Sequence, residues 1–530
     1  MNVLSLVINA HYPFFSIPQK NDPVSPEEEI FFESVSDTYL PLLAMLEGLE
    51  ARGVSFKIGM VLGYSLCTLL KNSCLMRRYQ SWLRARVEFG IREQERTAGA
   101  QRDLAAFYLA EDTGRLSALE SRYNMDIIFA FEQFRQKGML ELISTSATHA
   151  FLPFFAPIPE AIQAQIETGL IYHRKLFGKS SAGFFLPDLG WKESLEKFLC
   201  DYRFLYTIVD EKSFVLIRQK TTAPVQTPRK LIVLAANARS CRDLEQIVFS
   251  TPQDEPEYNA CLHFSGGENR YRRHFLDAGF ELSSHVLGGL DSDGVRHATG
   301  YRYWHGKNTG VLYQAQEARA LAASHAAVFL DRRIAETEKQ GVNLCVFNAD
   351  DLGRRWHEGM IFLENLISGA VDSGAVALCA PGDYAADCGS LAAAVPGSAS
   401  ALDGNYSECL LDASNDWIYR HLFRALQRMI SMTERFPADT GLKERALNQA
   451  AREVLLAQSS DWAKMLNPAC KTRQSAEFAR REIESALLNL TAIYEALGSN
   501  YISTEWLTEL EKKHPLFPQM NYHVFDRKIG

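Results

Sequence analysis

The stretch Val3–Pro13 (VLSLVINAHYP) decides how the chain is read. Val3–Ile8 is an apolar run of strand length, and it breaks into polar Asn9 and His11 just before Pro13. It is too short for a membrane span of roughly 20 residues. It also lacks the basic lead-in and cleavage site of a secretion signal. An apolar segment with a polar C-terminal end is the pattern of a parallel strand, buried on both faces, whose end can carry chemistry.

The same pattern recurs along the first 390 or so residues. Strands are predicted at Phe56–Leu62, Leu140–Thr145, Ser181–Leu186, Phe204–Val209, Phe214–Ile217 and Asn343–Phe347. Between them lie helical patterns. Glu28–Arg52 places Phe31, Phe32, Val35, Tyr39, Leu42, Leu43 and Leu46 on one side, and Pro159–Phe177 is a second helix. Strands alternating with helices imply a parallel α/β sheet or barrel. Two excursions interrupt the rhythm, a charged helical one at 66–123 and a mixed, turn-rich one at 212–303. Ala380–Leu402, low in charge and rich in Ala, Gly, Ser and Pro, reads as a loop. Beyond Asn415 the pattern turns helical, with amphipathic segments at Trp417–Phe436, Lys443–Gln458, Gln474–Leu497 and Ser503–Lys513. The predicted organisation is a barrel over 1–400 and a helical domain over 405–530. No repeat of fixed period is present.

Composition bounds the function. The chain has 530 residues, is 47% hydrophobic and carries a net charge of −8, which argues against a nucleic-acid binder. Arg77-Arg78 and Arg270–Arg273 are short clusters that read as solvated faces. Ten cysteines are scattered without a C-x-x-C pair or zinc spacing, so reduced, mostly buried thiols are expected. No apolar run reaches membrane length, and a cytoplasmic protein is expected. There is no P-loop, G-x-S-x-G or H-E-x-x-H, and Gly288–Asp291 lacks the setting of a dinucleotide fingerprint.

Chemistry is therefore sought at the strand ends: His11; Ser146–His149; Asp188 and Trp191; Asp210; and Asn348 with Asp350 and Asp351. Each has a plainer reading. A histidine there can simply be hydrogen-bonded structure, an aspartate a helix cap, a tryptophan core. Recurrence at successive strand ends favours function. His11 and His149 offer two metal ligands without an evident third, so no metal and no cofactor are expected.

At these ends the chain resembles glycoside hydrolase family 57, in its branch of branching enzymes and AmyC-like amylases. The similar segments are Asn9–Phe14, Gly138–Phe155 (GMLELISTSATHAFLPFF), Phe184–Trp191 (FFLPDLGW), Val346–Leu363 (VFNADDLGRRWHEGMIFL), Asn415–Leu422 (NDWIYRHL) and Arg445–Trp462 (RALNQAAREVLLAQSSDW). They span nearly the full chain. The resemblance implies an incomplete (β/α)7 TIM-like barrel with insertions and a C-terminal α-helical domain that closes the site. It also implies a retaining mechanism on α-glucans, with a Glu nucleophile in the third motif and an Asp acid/base in the fourth. Such carboxyls stand roughly 5–5.5 Å apart.

This sequence departs from that pattern. Asp188 occupies the nucleophile position, and alignment on Trp356 and Glu358-Gly359 puts Asn348 at the acid/base position. A gapped register would put Asp350 or Asp351 there instead. Ala401 and Leu410 occupy places where the family offers tryptophan. Asp reaches about 1.5 Å less far than Glu, and about 1 Å of misplacement costs roughly a hundredfold. Losing general acid–base help costs roughly 10²–10⁴-fold. The expectation is an α-glucan or other carbohydrate binder with weak or absent retaining activity, using His11, His149, Trp191, Asp210, Arg354, Trp356, Trp417, Asp461 and Trp462. The alternative is an active enzyme with altered chemistry, Asp188 working with Asp350 or Asp351 and Arg354-Arg355 accepting an anionic sugar. A protein scaffold has no direct support, and the oligomeric state is not legible.

Overall fold

The computed structural model describes residues 2–215, 217, 219–249, 301, 312–336, 341–402, 406–470 and 474–527. Cys261, the Arg270–Arg273 cluster, Gly288–Asp291 and most of the 212–303 excursion lie outside the described residues.

Seven strands form the body: β1 (Asn2–Ala10), β2 (Ile58–Leu62), β3 (Leu140–Thr145), β4 (Gly183–Phe185), β5 (Tyr206–Asp210), β6 (Ile232–Ala236) and β7 (Val342–Asn348). Each pairs in parallel with the next, and β7 returns to β1 from Val3↔Val342 to Asn9↔Asn348. The circle is thinnest at β6 and β7, which meet at Ala236↔Leu344. This is a parallel (β/α)7 barrel with surrounding helices and a C-terminal helical region, the predicted fold class.

Period-two alternation explains the two cores. On β1, Leu4, Leu6, Ile8 and Ala10 pack outward against the helices, while Val7 points into the barrel with Val61, Ile143, Phe185, Ile208, Leu234 and Val346. The N-terminal end of the barrel is closed by the helix Pro381–Asp387, whose Ala385 joins the interior cluster. Glu141 near the start of β3 accepts from Gly382 N at 2.7 Å and from Tyr206 Oη at 2.8 Å.

Several boundaries differ from expectation. β6 falls within the stretch read as a second excursion, because five apolar residues carry no alternation to separate strand from other buried segments. Phe214 lies in a short helix, Lys212–Val215, rather than a strand. Ala380–Leu402, read as a loop, contains the Pro381–Asp387 helix and the short strand Ala392–Ala393. The excursion after β2 is helical as expected: Tyr64–Lys71, Ser73–Arg96 and Ala100–Ser117, ending in a π-helical turn at Ala118–Arg122. Among the described residues, five α-helices follow residue 415: Trp417–Arg435, Leu442–Ala457, Ser460–Leu466, Ala476–Ser499 and Thr504–Lys513. The short third one was not anticipated.

The described cysteines are free thiols; Cys67 and Cys345 are fully buried and the rest are partly exposed, fewer buried than expected. Among the described residues, no helix is long and apolar enough to cross a membrane.

Candidate functional site

The ends of β1, β3, β4 and β7 and the helix Ser460–Leu466 surround a cleft of about 290 Å³ at the C-terminal mouth of the barrel. It is lined by His11, His149, Asp188, Asn348, Asp350, Asp351, Arg354 and Asp461 from the predicted set, and by Asn9, Tyr12, Pro13, Arg355, Lys464, Met465 and Gln474. Strand ends far apart in sequence converge because all seven strands run in one direction.

Asp188 sits in a turn whose backbone is left-handed at two successive residues, Asp188 (φ 55°) and Leu189 (φ 50°). Such a conformation costs roughly 1–2 kcal/mol per non-glycine residue, so its surroundings must hold it. They do so on both sides: Ala401 N donates to Asp188 O at 2.8 Å, and Trp191 N to Ala399 O at 2.8 Å. Ala401, at a place where tryptophan was anticipated, therefore braces the turn with its backbone. The Asp188 carboxylate is engaged on both oxygens: Lys464 Nζ donates to Oδ1, and Ser460 Oγ donates to Oδ2 at 3.0 Å. Burial alone would raise its pKa, but the Lys464 ammonium and these hydrogen bonds outweigh it, and Asp188 lies below the usual carboxylate range. Burial likewise opposes the Lys464 charge, and Asp188 and Asp461 reverse it and hold the lysine above its ordinary value. The pair is ionised.

His11 and His149 stack, with ring centroids 4.2 Å apart and planes inclined by 27°. His149 Nδ1 contacts Ser460 Oγ at 3.0 Å, and His11 Nε2 contacts the Asp461 carboxylate at 2.9 and 3.0 Å. Burial, followed by the His11 charge, pushes the His149 imidazole down to about 3, so it is neutral at physiological pH. Burial disfavours the charged form of Asp461, but His11 more than compensates and holds it well below the usual range. Asp461 thus supplies a third potential metal ligand beside the two histidines, the one that spacing did not reveal. The geometry fits a metal poorly. Imidazole lone pairs lie in the ring plane, and two nearly face-to-face rings do not aim them at one tetrahedral centre. Asp461 is also already hydrogen-bonded to His11 Nε2. The trio reads as a hydrogen-bonded polar wall.

The loop after β7 is organised by its own sequence. Arg354 Nη2 and Nε donate to Asp350 Oδ2 at 2.8 and 3.0 Å, and Arg355 Nη1 to Asp351 Oδ1 at 3.0 Å, each four residues on. The π-helical turn Val35–Tyr39 packs against it: Thr38 Oγ1 accepts from Arg354 N at 3.0 Å and donates to Asp350 Oδ1 at 3.3 Å. A Cβ on Gly353 would stand 2.5 Å from Thr38 Oγ1 and 2.6 Å from Asp37 O, so glycine is required for this approach. Asn348 is exposed to the cleft; its Oδ1 accepts from Asn9 Nδ2 at 3.4 Å and its Nδ2 donates to Asp351 Oδ2 at 3.3 Å. Burial raises the Asp351 carboxyl despite Arg355.

The remaining predicted residues do not line the cleft. Trp191, Trp356 and Trp462 are fully buried. Trp191 Nε1 donates to Pro396 O at 3.1 Å, Trp462 Nε1 to Leu456 O at 2.8 Å, and Trp356 packs on Phe362. Their indole faces are closed to a sugar, which corrects the expectation that they bind carbohydrate. Trp417 is partly buried, with the Arg480 guanidinium 5.3 Å over its ring. Asp210 is buried and caps the following turn, accepting from Lys212 N at 2.9 Å. At the other place where tryptophan was anticipated, Leu410 is fully buried.

Lys464 and Ser460 were missed. Their signal is a helix start: Ser459 Oγ accepts from Asp461 N at 3.4 Å, and Ser460 and Lys464 then share one face, one turn apart.

Comparison with known proteins agrees with this architecture. The glycosyl hydrolase family 57 model matches residues 5–257, and that of the 1,4-alpha-glucan branching enzyme C-terminal region matches residues 421–525. The 1,4-alpha-glucan branching enzyme TK1436 of Thermococcus kodakarensis is 23% identical over 519 residues, covering 91% of this chain and 71% of that protein. The alpha-amylase AmyC from Thermotoga maritima superposes with a TM-score of 0.86 at 26% identity, covering 100% of both chains. The GH57-type branching enzyme of Pyrococcus horikoshii shares the fold, with a TM-score of 0.82 at 20% identity over 99% of this chain and 97% of that one.

Proposed function

The chain belongs to glycoside hydrolase family 57, and from that premise we propose that its barrel mouth recognises an α-glucan while supporting weak or no retaining chemistry. In this reading the barrel spans 1–400, the helical domain 405–530 closes the site, and Asp188 and Asn348 stand at the nucleophile and acid/base positions. The similarity to a branching enzyme and an amylase supports that substrate class. The observation that carries the activity reading is the pairing of a carboxylate engaged on both oxygens, Asp188, with an amide, Asn348.

A retaining enzyme needs a carboxylate free to attack the anomeric carbon and a second carboxyl that gives a proton to the departing oxygen. An amide does neither half of the proton exchange. It does make a good sugar ligand, with donor and acceptor on one planar group. His11, His149, Asn348, Asp461 and Arg354 supply convergent polar atoms for sugar hydroxyls in a cleft of this size. We place this role in the cytoplasm, in keeping with the free thiols.

Titration of the full chain with maltoheptaose in a calorimeter is the test. Measurable binding that weakens in Asn348→Ala and His11→Ala supports the reading. Absence of binding, or branching and hydrolysis at rates ordinary for the family, overturns it.

A second reading has one specific observation behind it. Burial raises the Asp351 carboxyl while Lys464 lowers Asp188, and environments that push two carboxyls apart suit an acid and a base. Asp188 would then activate a water and Asp351 protonate the leaving oxygen, giving inversion at the anomeric carbon, a chemistry that needs carboxyls roughly 6.5–9.5 Å apart. Release of the inverted anomer from a maltooligosaccharide, followed by NMR and lost in Asp351→Asn, would favour it over the first.

A further inference from the structure

The helix Ser460–Leu466 grips Asp188 with two side chains one turn apart. Ser460 takes Oδ2 at 3.0 Å and Lys464 takes Oδ1. Between them in sequence, Asp461 turns to His11. The ion pair is well shielded, with Asp188 10% and Lys464 18% exposed. The helix is itself fastened to the barrel, as Ser460 N donates to His149 O at 2.7 Å, and the preceding helix Leu442–Ala457 is held beside it by Thr148 Oγ1 donating to Leu455 O at 2.7 Å. The grip is therefore part of the closed architecture and not a passing surface contact.

The lengths match. Aspartate falls about 1.5 Å short of glutamate, and the four-carbon stem of Lys464 reaches the shortened carboxylate. A carboxylate nucleophile must aim a lone pair at the anomeric carbon. Here the left-handed backbone at Asp188 and the donors on both oxygens orient the group toward the C-terminal helix.

Resting on the reading of Asp188 as the nucleophile position, we propose that Lys464 is a positioning residue that holds Asp188 as a counter-ion and restrains it from attacking a bound sugar. With the lysine in place the pocket works as a binding subsite. With it removed, the carboxylate recovers the freedom to react with a donor whose leaving group needs no proton.

The probe is 5-fluoro-α-D-glucosyl fluoride. Attack by an Asp188 oxygen forms the bond to the anomeric carbon, the carbon–fluorine bond breaks, and fluoride leaves with the electron pair. No general acid is needed, so Asn348 does not mask the result. Intact-mass spectrometry with peptide mapping follows labelling of the full-length protein and its variants. Lys464→Met is expected to label at Asp188 at least about tenfold faster than the unaltered chain. Lys464→Arg should label as slowly as the unaltered chain, and Asp188→Asn/Lys464→Met not at all. Lys464→Gln, which keeps a hydrogen-bond donor without the charge, replaces Lys464→Met if circular dichroism shows the latter unfolded.

Equal labelling of the unaltered chain and Lys464→Met overturns the proposal. So does slower labelling of the variant, which would make the lysine an assistant to attack, and so does absence of labelling throughout. Maltoheptaose calorimetry on the same proteins separates this from the underlying reading: loss of binding by the unaltered chain sinks the reading, whatever the labelling shows.

Discussion

Two loops at the mouth of the same barrel are held together in opposite ways. The loop after β7 pairs its acids with its own arginines four residues on, Asp350 with Arg354 and Asp351 with Arg355. The turn after β4 has no local partner for its carboxylate and takes Ser460 and Lys464, 272 and 276 residues away. In the first arrangement the ion pairs lie within one loop, and Thr38 of the π-helical turn adds a contact to Asp350 and to Arg354 N. The second exists only when the C-terminal helices have docked. The contrast shows that the acids after β7 find their cations within their own loop, whereas Asp188 finds its cation in another region of the chain.

The largest expected effect joins the two loops. Asp188→Glu combined with Asn348→Asp restores both the reach and the proton transfer that a retaining pair needs. Hydrolysis of maltooligosaccharides should rise by at least the roughly 10²–10⁴-fold that general acid–base help contributes. Either single change should yield far less. Unchanged activity in the double variant would show that the loops' wiring, and not those two side chains, limits chemistry.

Removing one partner of the long-range pair comes next. Asp188→Ala leaves the Lys464 ammonium buried, and losing one member of a buried pair costs roughly 3–5 kcal/mol. With 10% and 18% exposure in the pair, the lower end is expected in urea denaturation. A loss below about 1 kcal/mol would place the pair in the class of surface bridges. The Asp188 carboxyl lies below its unfolded value, so its contribution is present above that value, near pH 3.9, and disappears as pH falls through the lower folded one.

The docking itself has a pH signature of opposite sign. His514 is buried; its Nδ1 meets Glu453 at 2.8 and 2.9 Å and its Nε2 meets Ser16 Oγ at 2.9 Å, tying the segment after His11 to the helical region. Burial lowers its pKa, but Glu453 and then Glu482 reverse this and leave it raised, with Lys513 opposing. A raised cation contributes stability that is complete below the unfolded value, about pH 6.5, and is lost as pH rises through the folded one. Thermal unfolding of the unaltered chain should therefore show this loss on going from pH 6 to pH 9, and His514→Gln should not. A parallel decline in both proteins would assign the slope elsewhere.

The smallest effect is expected in the self-paired loop. Arg355 is 28% exposed, and exposed pairs are worth roughly 0–1 kcal/mol. Arg355→Gln should shift stability by no more than that, in contrast with Asp188→Ala. A larger loss would show that the Arg355–Asp351 pair counts as more than a surface bridge.

The contrast between loops also explains what could be read beforehand. β1, β3 and the helix Pro159–Phe177 were legible because a long apolar run or a full helical period needs only local sequence. β6 was hidden for the reason that it is short and wholly buried. Trp191, Trp356 and Trp462 were expected among the carbohydrate-binding residues and are buried: residue type signals a large apolar ring but not which side of the barrel wall it faces. Lys464 gave no signal at all without the helix register that sets it one turn beyond Ser460.

By itself, the sequence carried the resemblance to the family, the alternation that builds a parallel barrel, and the identities Asp188 and Asn348, since each depends on residues close along the chain or on matched motifs. Only the tertiary structure decided that Asp188 is an ion-paired carboxylate, that His11 and His149 stack beside Asp461, and that three tryptophans are core. The physical reason is that a side chain's charge state and accessibility are set by what surrounds it in space, and at this mouth the surroundings arrive from helices hundreds of residues away.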